Sequence, residues 1–288
     1  MSCIIDTPLG YKIHCRTSGD PRGQFVFCLH GLGGSIDTFA ALVPLLDDGF
    51  CTVSVDFPGF GQSPRPTGPQ ARRISINNLV AVLHHLVTSM QGAATPGSAA
   101  ATRPILLIGH SLGAMVALQY AAAYQTRVGG ALILAPGRAG GQIPPARMAM
   151  LDLAARVRTD GIEAAATNAS QITNFYADTP ERTVPPQLRR AVYDAVAASD
   201  PEAYAQMCEA MVAKEYVDPD YKHIQCPVVF VAGDKDMISP VSRSEDLAEM
   251  VVGPSEVFVV RSGHQLILED LAGVARALSR FRSKLQTL

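Results

Sequence analysis

Ser111 stands in Gly109-His110-Ser111-Leu112-Gly113, directly after the apolar run Pro104-Ile-Leu-Leu-Ile108 and directly before the helical stretch Leu112 to Tyr124. A strand, a sharp turn carrying a serine and then a helix make a nucleophile elbow, Gly-x-Ser-x-Gly. A residue pushed out at the tip of so tight a turn takes strained backbone angles, and the chain on either side passes close by. Side chains at 109 and 113 would collide there, which accounts for both glycines. The chemistry this suggests is nucleophilic attack by a hydroxyl. A serine is a weak nucleophile until a base takes its proton, and the base needs an orienting carboxylate.

At such an elbow the partners follow in the chain order serine, acid, histidine, each in a loop after a strand. The run Pro227 to Val231 ends in Ala-Gly-Asp234-Lys-Asp236-Met, and the run Glu256 to Val260 ends in Arg-Ser-Gly263-His264-Gln. His264 is the candidate base, with Glu269 five residues on. Asp234 and Asp236 are both candidate acids. One imidazole nitrogen pairs with one carboxylate, so only one of the two can orient His264. The negative charge that develops on an attacked carbonyl needs main-chain donors. Gln24 to Leu29 leads into His30-Gly31-Leu32-Gly33-Gly34, an H-G-G-G-type loop, so the N–H groups of Leu32 and Leu112 are the expected oxyanion hole. The same glycines do not complete a dinucleotide-binding G-x-G-x-x-G. His30 and His110 are expected to hydrogen-bond and pack rather than act as bases. The Asp56-to-Ser63 loop is expected to be scaffold, and His84-His85 has no partner at metal spacing, so no metal and no cofactor is expected.

These groups need a frame. Tyr11–Arg16, Gln24–Leu29, Cys51–Val55, the elbow strand, Gly130–Leu134, Pro227–Val231 and Glu256–Val260 read as strands. Helices are expected near Thr38–Leu46, Ile76–Met90, Val241–Met250 and Asp270–Lys284. Short apolar strands alternating with helices predict a mostly parallel sheet covered on both faces. Gln91–Arg103 lacks periodicity and is expected to be a flexible surface insertion. The stretch 137–224 breaks the rhythm. It is helical in pattern (Met148–Arg158, Gly161–Thr167, Arg189–Ala197, Glu202–Lys214) and is expected to form a lid between core segments 1–136 and 225–288.

Composition agrees with a globular chain that can bury a sizeable core: 48% of residues are hydrophobic and 17% charged, and with a net charge of −2 there is no basic stripe for nucleic acid or an anionic membrane. No apolar run approaches the roughly 18 residues of a membrane span. The start carries no secretory pattern, and the six cysteines lack C-x-x-C spacing, so a reduced, cytoplasmic protein is expected.

Five segments, His30-Gly-Leu-Gly-Gly34, Asp56-Phe-Pro-Gly-Phe-Gly-Gln-Ser63, Gly109-His-Ser-Leu-Gly113, Gly233-Asp-Lys-Asp236 and Gly263-His264, resemble the α/β-hydrolase superfamily over nearly the whole chain. The resemblance implies the α/β-hydrolase fold and a Ser111/Asp236/His264 triad, and it is what selects Asp236; Asp234 is then expected to cap a turn or bind amides. Val157-Arg-Thr-Asp-Gly161 and Ser199 to Cys208 are similar to lid segments of 3-oxoadipate enol-lactonases and related carboxylesterases. That likeness implies a small or medium ester or lactone as substrate, with Arg138 placed to meet a substrate carboxylate. Gly31, Phe175, Met207, Cys208 and Met211 are candidate pocket residues. Carbon–carbon hydrolases of vinylogous diketones, cofactor-free haloperoxidases and a ligand receptor keeping a hydrolase pocket are the alternatives. Gln265, where the carbon–carbon hydrolases carry tryptophan, and the absence of any Trp weigh against the first.

Overall fold

The computed structural model describes residues 1–46, 49–68 and 71–285; the last three residues of the expected second core segment lie outside them. Eight strands form one sheet in the order β1 (Ser2–Asp6), β2 (Lys12–Gly19), β4 (Phe50–Val55), β3 (Gln24–Leu29), β5 (Ile105–His110), β6 (Val128–Leu134), β7 (Val228–Gly233), β8 (Ser255–Val260). β2 runs antiparallel to both its neighbours, and every pairing from β4 to β8 is parallel. β5 and β7 are buried along their whole length, as their unbroken apolar runs require.

Alternation divides the core in two. Along β3, Val26 and Cys28 pack on one face with Phe39, Leu42 and the closing helix α10 (Leu271–Leu285), through Val274, Ala277 and Phe281. Phe25, Phe27 and Leu29 face the opposite layer, where α1 (Ile76–Ala93) and α3 (Leu112–Ala123) lie. Nearly every side chain of α3 is buried, so it is apolar all round rather than on one stripe.

Three local expectations change. β1 was not expected: it is a short edge strand, mostly exposed, with too little apolar alternation to read as one. The helix expected over Thr38–Leu46 is two 3₁₀ turns, Ile36–Phe39 and Val43–Leu45. Pro44 lacks the N–H that would continue a helix from Ala40. The 91–103 segment is more ordered than a surface loop. α1 extends to Ala93, and Ser98 caps a short helix α2 (Ala99–Thr102), where Ala100 is fully buried and its N–H donates to Arg22 O at 3.1 Å. Four residues make one turn, too short to show a period.

Between β6 and β7 lie α4 (Pro144–Asp160), α5 (Ile162–Asn168), a π-helical turn at Ala169–Thr173, α6 (Pro186–Ala197) and α7 (Pro201–Met211). The expected helical stretches fall largely on these elements. Asp200, the N-cap of α7, bonds the N–H of Ala203 at 2.8 Å and pairs with Arg65, and its own N–H donates to Gly59 O at 2.9 Å. The helical segment is thus fastened to the Asp56–Ser63 loop. After β7 come α8 (Val241–Met250), β8 and the one-turn helix α9 (Leu266–Glu269). Among the described residues no helix is long and apolar enough to cross a membrane.

Candidate active site

Ser111 has φ 52° and ψ −111°, in the left-handed region that a non-glycine residue enters only when its surroundings enforce it. Both neighbours of the turn are enforced as well. A Cβ on Gly109 would lie 2.6 Å from Gly113 O, and one on Gly113 would lie 1.9 Å from Leu29 O. The turn therefore sits against the end of β3, and α3 begins at Leu112 with its positive dipole end beside the serine.

His264 lies in the loop after β8, with Nδ1 2.7 Å from Asp236 Oδ2. Asp236 is buried, and its other oxygen accepts the N–H groups of Ile238 at 2.8 Å and Ser239 at 2.9 Å. Burial pushes this carboxyl up, but the His264 charge and ring hydrogen bond, with the two amides, outweigh that and hold it below the usual carboxylate value. An ionised Asp236 requires the proton on His264 Nδ1. Nε2 then faces away from the acid, and His264 and Ser111 line the same cavity of about 330 Å³. Among the described residues the Ser111 hydroxyl makes no hydrogen bond.

His264 is also held through its backbone. Its N–H donates to Asn174 O at 2.9 Å, just past the π-helical turn, and its carbonyl accepts from His110 Nε2 at 2.8 Å. Desolvation, reinforced by His264, pushes His110 down to about 3, so it is the neutral ring that donates. His30 is likewise buried. Its Nε2 accepts from Phe57 N–H at 2.9 Å, so Nδ1 carries the proton and donates to Gly31 O at 2.7 Å. Asp56 is the hub of its loop, accepting from Ile36 N–H at 2.7 Å, from Gln62 N–H at 2.9 Å and from His14 Nδ1 at 2.8 Å. Among the described residues the N–H groups of Leu32 and Leu112 have no acceptor, and Leu32 borders the cavity.

The cavity floor is Ser111, His264 and the Gly31–Leu32 loop. Its roof is α4 (including Met150, Leu153 and Arg156), the π-helical turn, and Tyr204 and Met211 of α7. A second chamber of about 200 Å³ shares Gly31, Leu32, His110, Asn174 and Gln265 with it and extends toward Val192 and Val196 of α6. Of the pocket residues expected from sequence, Gly31 and Met211 line the cavity. Phe175, Met207 and Cys208 do not; they are buried in the packing of the helical segment, with Phe175 under the Arg189 guanidinium. Met207 and Met211 lie one turn apart on α7, and spacing alone cannot say which one meets the cavity. Met150, Tyr204, Asn174 and Ile238 were missed: Met150, Asn174 and Ile238 sit in no motif, and Tyr204 lies in the Ser199–Cys208 lid segment, whose spacing does not say which side chain meets the cavity.

Two charged residues differ from expectation. Asp234 does not cap a turn; both its oxygens lie within 2.9 Å of Arg182 Nη1, tying the helical segment to the loop after β7. Arg138 lies outside the cavity lining. Its Nε donates to Asp218 Oδ2 at 2.8 Å, while Ala139 N–H donates to Oδ1 at 2.8 Å, so its charge is already matched. Arg138→Ala is expected to cost about 1–2 kcal/mol, read as a lower denaturation midpoint in urea. It should leave the ratio of rates on acidic and neutral esters unchanged; a lost preference for acidic esters would return Arg138 to the site.

Comparison with known proteins places this arrangement. The model of the alpha/beta hydrolase family matches residues 26–277. A serine hydrolase-like protein of Danio rerio is 33% identical over 117 residues, 40% of this chain, and the match spans about a third (32%) of that protein. An esterase from Thermogutta terrifontis superimposes with a TM-score of 0.81 at 22% identity, over 99% of each chain. The enol-lactonase from Burkholderia xenovorans LB400 does so with a TM-score of 0.79 at 21% identity, over 98% of this chain and 100% of that one. At these identities the structural likeness is one of fold. The family match over most of the chain and the sheet with its elbow agree, and this protein belongs to the α/β hydrolase family.

Proposed function

We propose that this protein is a serine hydrolase that cleaves a carboxylic ester or lactone of small to medium size through an acyl-enzyme. The observation that carries the reading is the 2.7 Å Asp236–His264 pair, with the free imidazole nitrogen turned from the acid and a strained serine on the wall of the same cavity. His264 Nε2 takes the proton of Ser111 as Oγ attacks the carbonyl, and Asp236 holds the tautomer and stabilises the imidazolium. The N–H groups of Leu32 and Leu112 receive the oxyanion, with the α3 dipole behind the latter. Collapse expels the alcohol, which takes the proton from His264. Water, deprotonated by the same nitrogen, then releases the acid. Two chambers meeting at Leu32 suit an ester with an arm on each side of the scissile bond, or a lactone held in one of them.

The segment 137–224 serves as the lid in this reading, since its helices supply the cavity roof. The test is covalent labelling. A fluorophosphonate should add one phosphonyl group to Ser111, located by peptide mass spectrometry, and block turnover of a panel of p-nitrophenyl esters and lactones. Labelling elsewhere, or turnover that survives full labelling, would sink the proposal.

A further inference from the structure

We propose that Glu269 is a positioning residue for His264, acting through the two peptide N–H groups that flank it. Its catalytic consequence rests on the triad reading above; the brace itself rests on geometry. Glu269 Oε1 accepts from Gly263 N–H at 2.9 Å and from Gln265 N–H at 3.2 Å. The amide between them, that of His264, goes to Asn174 O, and the His264 carbonyl goes to His110. Three consecutive amides therefore have fixed acceptors, and one carboxylate at the end of α9 supplies two of them.

A carboxylate suits the task because an anion binds two N–H groups more strongly than a neutral oxygen does. Its second oxygen, Oε2, is buried and has no partner among the described residues. Burial pushes the Glu269 carboxyl up to about 7, against the pull of the two amides and of Arg182, with the Asp236 charge adding to the rise. The groups facing it are known. Arg182 comes from the helical segment, is paired with Asp234, and keeps a buried Nη2 without a partner. Asp236 comes from the loop after β7, and His264 lies on the braced loop itself. Asp270, next in sequence, is occupied by the N–H groups of Arg261 and Gly273.

Asp236 fixes the rotation of the imidazole, but the position of its Cα is set by this loop. A shift of about 1 Å between base and nucleophile is enough to cost on the order of 10²-fold in rate. Protonation of Glu269 leaves a weaker acceptor under both amides, so the brace loosens as pH falls through neutrality.

The test compares the full-length wild type with Glu269→Ala and Glu269→Gln, using p-nitrophenyl acetate from pH 5.5 to 9 and hydrogen exchange of the peptide spanning 263–265. Glu269→Ala is expected to lower kcat about 30-fold with KM within about 2-fold, and to speed exchange at Gly263 and Gln265. Glu269→Gln keeps one oxygen for both amides and should run about 6-fold faster than Glu269→Ala near pH 8.5. Wild type should exceed Glu269→Gln about 5-fold near pH 8.5, a ratio closing toward one near pH 6, where Glu269 is itself neutral. A wild-type-to-Gln ratio that is the same at every pH, or an Ala defect carried by KM or by melting alone, overturns the proposal. If wild type neither turns over the ester nor takes the fluorophosphonate, the hydrolase reading has failed instead. Exchange at 263 and 265 then decides the brace: rates unchanged by Glu269→Ala remove it.

Discussion

Ser111→Ala is expected to lower kcat/KM for p-nitrophenyl acetate by about 10⁴-fold or more while leaving the fold intact. The size follows from the role: without Oγ no acyl-enzyme forms, and the residual rate is what the cavity and the free N–H groups of Leu32 and Leu112 can do for water. The unchanged fold follows from the geometry. Ser111 Oγ makes no hydrogen bond among the described residues, so its removal breaks none, and alanine inherits the φ of 52° with the same strain. Ser111→Gly sharpens the prediction. It should lose the same activity but gain about 1 kcal/mol of stability, because glycine adopts that angle without penalty. Urea denaturation of the three proteins and initial rates on one ester are sufficient. Turnover by Ser111→Ala at the wild-type level would show that the hydroxyl is not the nucleophile.

That strain also explains why the site was legible from sequence. An elbow needs glycine at 109 and 113 because Gly113 O, Leu29 O and the start of α3 crowd the turn, and such local necessity leaves a local pattern. The parallel strands were equally readable, since β5 and β7 are buried on both faces and show as unbroken apolar runs. What stayed hidden depends on partners distant in the chain. Arg138 and Asp218 are 80 residues apart, and Arg182 and Asp234 are 52 apart, so neither pair is visible before the fold brings it together. The same holds for the cavity roof. The helices of the 137–224 segment pack against one another and against the core, so apolar spacing marks a buried face without saying which buried face meets the cavity. Resemblance selected Asp236 over Asp234. The two carboxylates differ physically in the fold: Asp236 is buried on two amides and an imidazole, and Asp234 is bound to an arginine at the surface.

That difference makes the acid the second decisive test. In Asp236→Asn the two N–H groups of Ile238 and Ser239 require an acceptor, so the amide oxygen takes the place of Oδ1. The NH₂ group then faces His264 Nδ1 and can only donate. Nδ1 must become an acceptor, the ring proton moves to Nε2, and Nε2 can no longer receive the proton of Ser111. A loss on the order of 10⁴-fold in kcat is expected, with little change in KM. Asp234→Asn removes one half-exposed charge from the Arg182 pair and should cost at most about 1 kcal/mol of stability and no more than a few-fold in rate. Each variant exchanges one carboxylate oxygen for an NH₂ group, at residues two positions apart, so general damage to the loop cannot produce a gap of that size between them. Rates in which Asp234→Asn is the more damaging would mean that the acid has been misassigned.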